Sequence, residues 1–247
     1  MQIIISPAKK INDVNDYPSI NSQPLFLDKA KVLYAYLQSL NLEELKKLYK
    51  ASDKIVKDAA RKLHTYNLDE PFLTAINAYD GIQYQYMHAS LFDEAEMRFL
   101  NEHLYIISGL YGILRPLDEI IPYRLEMQSK INCQGNTNLY DYWGDSIAEV
   151  LNKLSEPIIN LGSNEYSKSI KKYIPKSLWV DVYFYENENG ELKEKGVYVK
   201  MARGAMVRYL VENRIDEVEG LKGFNDLNFQ YSSELSTAQK YIFIRSE

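Results

Sequence analysis

Two hydrophobic periods interleave along the chain. Short runs of adjacent apolar residues read as strands buried on both faces: IIIS (3–6), LYII (104–107), PIINLGS (157–163) and YIFIR (241–245). The run at 3–6 stops at Pro7. LWVDVYFYE (178–186) alternates apolar and polar positions, and Asn-Glu-Asn-Gly (187–190) turns it into ELKEKGVYVK as a hairpin. From Leu25 to Asn67 the period is helical, with Asn41 and Glu44 placed as an N-cap pair and Ser52 capping the helix that begins DKIVKDAARKL. Pro71 suits the first turn of a helix reaching Tyr79, which Asp80-Gly81 closes. Further helices are expected over 92–103, with Asp93 and Glu94 at the positive end, over 139–151 behind Asn138, from Ser163, and through MARGAMVRYLVENRI (201–215). The strands and helices mix without strict alternation. That pattern predicts an α/β (mixed α+β) fold: one compact domain over 1–247, its mixed sheet largely buried among helices.

One stretch breaks the pattern. ISGLYGILRPLD (107–118), followed by IPYRLEM, puts two glycines, a proline and an arginine just after an apolar run. Gly109 and Gly112 permit backbone angles other residues resist, and they let a phosphate or a neighbouring backbone come close. Pro116 would start a short helix, with Asp118 and Glu119 in its first turn. A glycine turn opening onto a helix N-terminus accepts anions; it also serves simply to pack. The spacing matches neither the dinucleotide fingerprint nor the P-loop. Helix-hairpin-helix modules grip DNA backbone with a related glycine hairpin, but here Leu110 and Tyr111 separate the glycines.

Composition narrows the class. The chain is 46% hydrophobic and 26% charged, which is globular, and no apolar run approaches the ~20 residues of a membrane span. MQIIISPAKK lacks the layout of a signal peptide, so a cytoplasmic location is expected. The single cysteine, Cys133, excludes an intrachain disulfide and reads as an inert thiol. Net charge is −5, yet positive charge is concentrated locally. On a helix through 200–214, Lys200, Arg203, Arg208 and Arg214 fall within an arc of about 140°. Lys168, Lys171, Lys172 and Lys176 cluster between 164 and 176. A solvated outer face and a phosphate-binding face both fit. The 21 tyrosines read as core-edge residues before stacking platforms.

No catalytic motif and no histidine pair at metal-site spacing is present, so neither metal nor cofactor is expected. Asp141, Asp145 and Glu149, four apart on one expected helix, form an acidic stripe that reads as surface before metal site. Ser6, Lys9, Arg124, Glu126, Asn164, Glu165, Lys200 and Arg203 all fall where elements start or strands end, and strand ends in α/β folds converge on one crevice.

The chain resembles the YaaA family of peroxide-stress proteins. The matching segments are IIISPAK, SGLYGILRPLDEIIPYRLEM, LYDYWGD, INLGSNEY, ARG with RYLVENRI, and LKGFN, in the family's order. The resemblance implies a cytoplasmic protein of peroxide survival and low intracellular iron. It also implies DNA binding in a positively charged cleft, with a helix-hairpin-helix-like element that would map onto 104–125. Carried onto this sequence, the DNA- or phosphate-binding residues are Lys9, Gly109, Tyr111, Gly112, Arg115, Arg124, Lys200, Arg203 and Arg208. Ser6, Glu126, Asn164 and Glu165 are polar cleft candidates. Three departures stand out: Lys10 replaces a usual threonine, YDGIQY (79–84) lacks the family's acid, and Met201 replaces a lysine. The expected partner is duplex or branched DNA bound without sequence preference, by a monomer with no membrane contact. The rival expectation is an enzyme acting on a small anionic ligand in the same cleft.

Overall fold

The computed structural model describes residues 1–13 and 22–245. Strand β1 (Gln2–Ile5) and the short β2 (Lys10–Ile11) open the chain. Helices α1 (Leu27–Ser39), α2 (Leu42–Tyr49) and α3 (Asp53–Thr65) follow. Next come β3 (Leu73–Thr74), α4 (Ala75–Ala78), β4 (Tyr79–Asp80), α5 (Ile82–Met87) and α6 (Glu94–His103). The middle of the chain supplies β5 (Leu104–Ser108), β6 (Gly112–Leu114), β7 (Glu119–Ile120), β8 (Lys130–Cys133), β9 (Asn136–Asn138), α7 (Leu139–Trp143) and α8 (Ser146–Asn152). The last third holds β10 (Ile158–Leu161), α9 (Asn164–Lys171), β11 (Trp179–Glu188), β12 (Glu191–Lys193), α10 (Gly196–Glu212), β13 (Phe229–Tyr231) and β14 (Lys240–Arg245).

The main sheet runs β13-β14-β11-β10-β1-β5-β6, with β12 pairing β11. Its five central strands are parallel, and the antiparallel strands lie at its margins. The apolar runs at β1, β5 and β10 are buried at every position, because helices cover both faces of a parallel centre. Between Val180 and Glu186, β11 buries its even residues and leaves its odd ones half-exposed, as its alternation predicts. Phe184, Phe224, Phe229 and Phe243 pack edge-to-face and stacked at one end of a single contiguous core. The mixed α/β class is therefore as expected.

Local chemistry explains the boundaries that match. Asn41 with Glu44, and Asp93 with Glu96, form complete capping boxes. Four local expectations are corrected. The helix expected from Pro71 is strand β3 followed by one turn, because Leu73 and Thr74 pair with Ile120 and Glu119. The helix expected through 139–151 breaks at Gly144, whose φ of +52° no continuing helix accepts. GVYVK belongs to α10 and not to a strand, which lengthens that helix to 17 residues. Finally, 104–125 is no helix-hairpin-helix: β5 and β6 form a β-hairpin in which Ser108 opposes Gly112, and the chain after Pro116 becomes β7.

Candidate anion-binding cleft

Strand order places the cleft. The chain leaves β1 to one side for β5 and to the other for β10, so the crevice beyond their carboxyl ends is a topological switch point. Ser6 follows β1 directly, and Ser163 follows β10 after Gly162. The Ser163 amide donates to Ser6 Oγ at 2.8 Å, and Ser6 Oγ donates to Ser163 Oγ at 3.2 Å. Tyr84 Oη donates to the Ser6 carbonyl from α5.

A charged cluster stands beside this seam. Arg124 Nη2 donates to Glu126 Oε1 at 2.7 Å, and Lys9 Nζ reaches the same oxygen at 3.2 Å. The Arg124 and Glu126 side chains are only 15% and 12% exposed, whereas Lys9 is 64% exposed. Arg124 Nε is buried with no hydrogen-bond partner, and the guanidinium stands 5.9 Å from the Tyr49 ring centroid. Burial pushes the Tyr49 phenol up, against the opposing charge of Arg124. Glu165, half-buried in the first turn of α9, accepts from the Gln128 amide. Burial raises its carboxyl above the usual range, the neighbouring Glu126 adds to that, and the Gln128 amide, Lys9 and Lys168 oppose it.

Next to Arg124 lies a cleft of about 270 Å³ lined by Lys9, Lys10, Lys62, Arg124, Tyr123 and Asp58, with Ile55 and Leu63 on its apolar wall. Asp58 is bound to Arg61 and Lys62, and Arg61 above all holds its carboxyl below the usual range. Lys10 pairs with Asp80 across the β2–β4 ladder. Beneath the cleft, Tyr123 Oη bonds Tyr79 Oη at 2.6 Å and Ser108 Oγ at 2.7 Å. Burial pushes the Tyr123 phenol up to about 12, so this hydroxyl chain stays protonated at neutral pH.

The structure thus gathers Ser6, Lys9, Arg124, Glu126 and Glu165. Asn164 starts α9 beside them and is exposed. It does not gather the rest. Gly109, Tyr111 and Gly112 are buried. A Cβ on Gly109 would sit 2.4 Å from the Leu125 carbonyl oxygen; on Gly112, where φ is +74°, it would meet the Trp143 ring at 2.7 Å. Trp143 Nε1 donates to the Gly109 carbonyl. The Tyr111 amide donates to Ser108 Oγ, and its phenol oxygen accepts from the Ile121 amide. The glycines therefore let the Leu125 backbone and an indole approach closely, and protein atoms occupy the space where an anion seat was expected.

Arg115 lies one residue beyond Leu114, which pairs with Ile106, so it sits back from the carboxyl end of β5 in a separate cavity with Ser22 and Asp118. On α10, Arg208 is tied to Asp226 and Glu212. Arg203 Nε is buried without a partner; burial lowers this guanidinium, while Glu194 and Tyr183 act against that. Lys200 is exposed and makes no hydrogen bond or ion pair among the described residues. Gly204 packs α10 onto the Gln83 carbonyl of α5, and no hydrogen bond or ion pair among the described residues joins the α10 cations to Lys9 or Arg124. Arg214 falls past the helix end at φ +50°. Because Gly144 breaks the helix, Asp141, Asp145 and Glu149 form no stripe, and no cluster of three His, Cys, Asp or Glu suits a metal among the described residues.

Lys10, Lys62 and Tyr123 escaped the sequence reading as cleft residues. Lys62 looked like one more solvent cation on an amphipathic helix, and only the docking of α3 against 122–124 turns it inward. Cys133 is buried and burial pushes its thiol up, away from the thiolate form that attacks peroxide.

A family model described as "Peroxide stress protein YaaA" matches residues 1–235. A UPF0246 protein of Desulfitobacterium hafniense (strain Y51) is 45% identical over 247 residues, covering 100% of this chain and 98% of the relative. A UPF0246 protein of Ligilactobacillus salivarius (strain UCC118) is 42% identical over 247 residues, covering 100% of both. With a match that spans nearly the whole chain and relatives aligned end to end, the chain belongs to the peroxide stress protein YaaA family.

Proposed function

We propose that this member of the peroxide-stress family acts in the cytoplasm as a monomer and binds DNA phosphates at the strand-end cleft, without reading base sequence. The observation that carries this reading is the convergence of Lys9, Lys10, Lys62 and Arg124 on one cavity of a molecule with net charge −5, where Arg124 Nε has no partner. Lys9 and Lys10 are 64% and 73% exposed, so their ion pairs open at a cost of about 0–1 kcal/mol each and the ammonium groups can exchange onto phosphate. Phosphate contacts position a protein on DNA and carry no base information. DNA held this way would be shielded from iron-driven radicals, which is the link to peroxide.

Four cations imply that log affinity for a short duplex falls with log salt at a slope of about −3 to −4. Arg124→Ala combined with Lys9→Ala should weaken binding and reduce the slope by about 2. No duplex binding at low salt, or a flat salt dependence, ends the reading.

Glu165 favours a second reading. A half-buried carboxyl with raised pKa, close enough to Glu126 and Lys9 to feel both charges, suits general-base chemistry on a small anionic ligand held by Lys9 and Arg124. A rise in melting temperature with sugar phosphates, nucleotides or carboxylates, absent in Arg124→Ala, would support it over DNA.

A further inference from the structure

A second basic groove, of about 880 Å³, lies along the last turn of α9 and the segment after it and shares no lining residue with the strand-end cleft. Four lysines, Lys168, Lys171, Lys172 and Lys176, line it against one carboxylate, Asp181. That carboxylate is already committed. Asp181 accepts from Asn160 Nδ2 at 2.8 Å, Trp179 Nε1 at 2.8 Å and Lys171 Nζ at 2.7 Å. Burial pushes its acidity toward the neutral form, but those three donors outweigh burial and keep it ionised.

The other three lysines form no salt bridge among the described residues. Lys168 Nζ lies 4.5 Å from the Tyr140 ring centroid and Lys172 Nζ 4.6 Å from that of Tyr173, while Lys176 has no such contact. The negative end of a helix favours cations only within its last turn. α9 ends at Lys171, so Lys172 caps it and Lys176 lies beyond its reach. Lys168 feels Glu165 and Lys172 feels Asp141, yet none of the three ammonium groups is held in a salt bridge among the described residues, which leaves them open to an outside anion.

We propose that this groove is a second anion site that takes a linear phosphate chain, a di- or triphosphate, free or carried on a nucleoside. The cavity is several times the first cleft and too large for one phosphate group. Its cations are spread along α9 and the turn after it, so successive phosphates meet successive lysines. Ammonium groups on flexible stems suit such a chain; a planar carboxylate is better matched by the arginine fork, which the groove lacks.

Trp179 reports on the site. The chain has two tryptophans, and Trp143 is buried against Gly112 at the other end of the sheet. Lys171 Nζ stands 5.8 Å from the Trp179 ring centroid, so drawing Lys171 onto a phosphate changes the indole's surroundings. Tripolyphosphate titrated into the full chain at low salt should change tryptophan emission and release heat. Lys172→Gln with Lys176→Gln should weaken binding about tenfold or more while leaving the melting temperature in place. Trp179→Phe should lose the optical signal and keep the heat; Lys9→Ala with Arg124→Ala, which strips the strand-end cleft of its own phosphate contacts, should keep the Trp179 emission change at the wild-type midpoint. Equal affinity for ATP and tripolyphosphate would show that the chain alone is recognised; tighter ATP binding would show that the nucleoside contributes. The proposal is overturned if millimolar tripolyphosphate gives neither signal, if the lysine double variant binds unchanged, if citrate binds as tightly, or if only an oligonucleotide binds through these lysines.

Discussion

Gly112 shows how a single residue commits the chain. Its φ of +74° lets the chain reverse between β5 and β6 in three residues, and its missing side chain is the space that the Trp143 ring occupies. A residue that looked like a phosphate seat is therefore a hinge and a packing surface together. Gly112→Ala must take a left-handed conformation and push the indole aside, at a cost of about 3 kcal/mol. Urea denaturation should show that loss with the slope unchanged, and a change below about 0.5 kcal/mol would mean that the hairpin tolerates a Cβ. Arg124 is the converse case. Its sequence context marks it as one of several loop cations, yet its side chain is largely buried, bonded to Glu126 and left with an unpartnered Nε at the wall of the cleft.

Among the elements, α10 corrects the helical-wheel argument. The wheel placed Lys200, Arg203 and Arg208 on one face, and helical spacing does align them. What the wheel cannot show is which surface that face meets. Gly204 brings α10 against α5, the segments after α10 supply Asp226, and Arg208 is neutralised there. Arg208→Ala should therefore leave DNA affinity within twofold of wild type, and Arg124→Ala should lower it about tenfold or more, both measured by fluorescence anisotropy at one salt concentration. Equal losses in the two variants would return α10 to the binding surface. Gly144 makes the same point for the acidic residues: a spacing of four has meaning only while one helix carries it.

At the scale of the whole molecule, buried and half-buried carboxyls couple the fold to pH in opposite directions. Lys195 first, with Arg245, holds the Glu186 carboxyl below its ordinary value where β11 meets β14. A lowered folded-state pKa contributes stability above the unfolded value of about 4.3 and loses it as pH falls through the folded value. Asp118 runs the other way. Burial raises it, in spite of donation from Ser22 and the Arg115 amide, so its contribution is full at low pH and lost as pH rises through the folded value. Glu186→Gln should destabilise the protein at about pH 7 and converge on wild type as pH falls to about 3, read from melting temperatures across that range. A constant gap at every pH would place the effect in packing and not in charge.

Much of this molecule is legible along the chain. The all-apolar runs at β1, β5 and β10, the alternation in β11 and the capping boxes at Asn41 and Asp93 are local properties, set by side-chain period and by the backbone's need for hydrogen-bond partners. The charged candidates Lys9, Arg124, Glu126 and Glu165 were also visible, because each stands near a strand end or a helix start. Strand order was not visible, since it is decided by which buried faces fit together across more than a hundred residues. That order makes β1 the switch point and joins Ser6 to Ser163. Helix docking then turns Lys62 inward, ties Arg208 to Asp226 and fills the glycine turn with Trp143. Periodicity establishes that a residue is buried or exposed; only the packed fold decides against what.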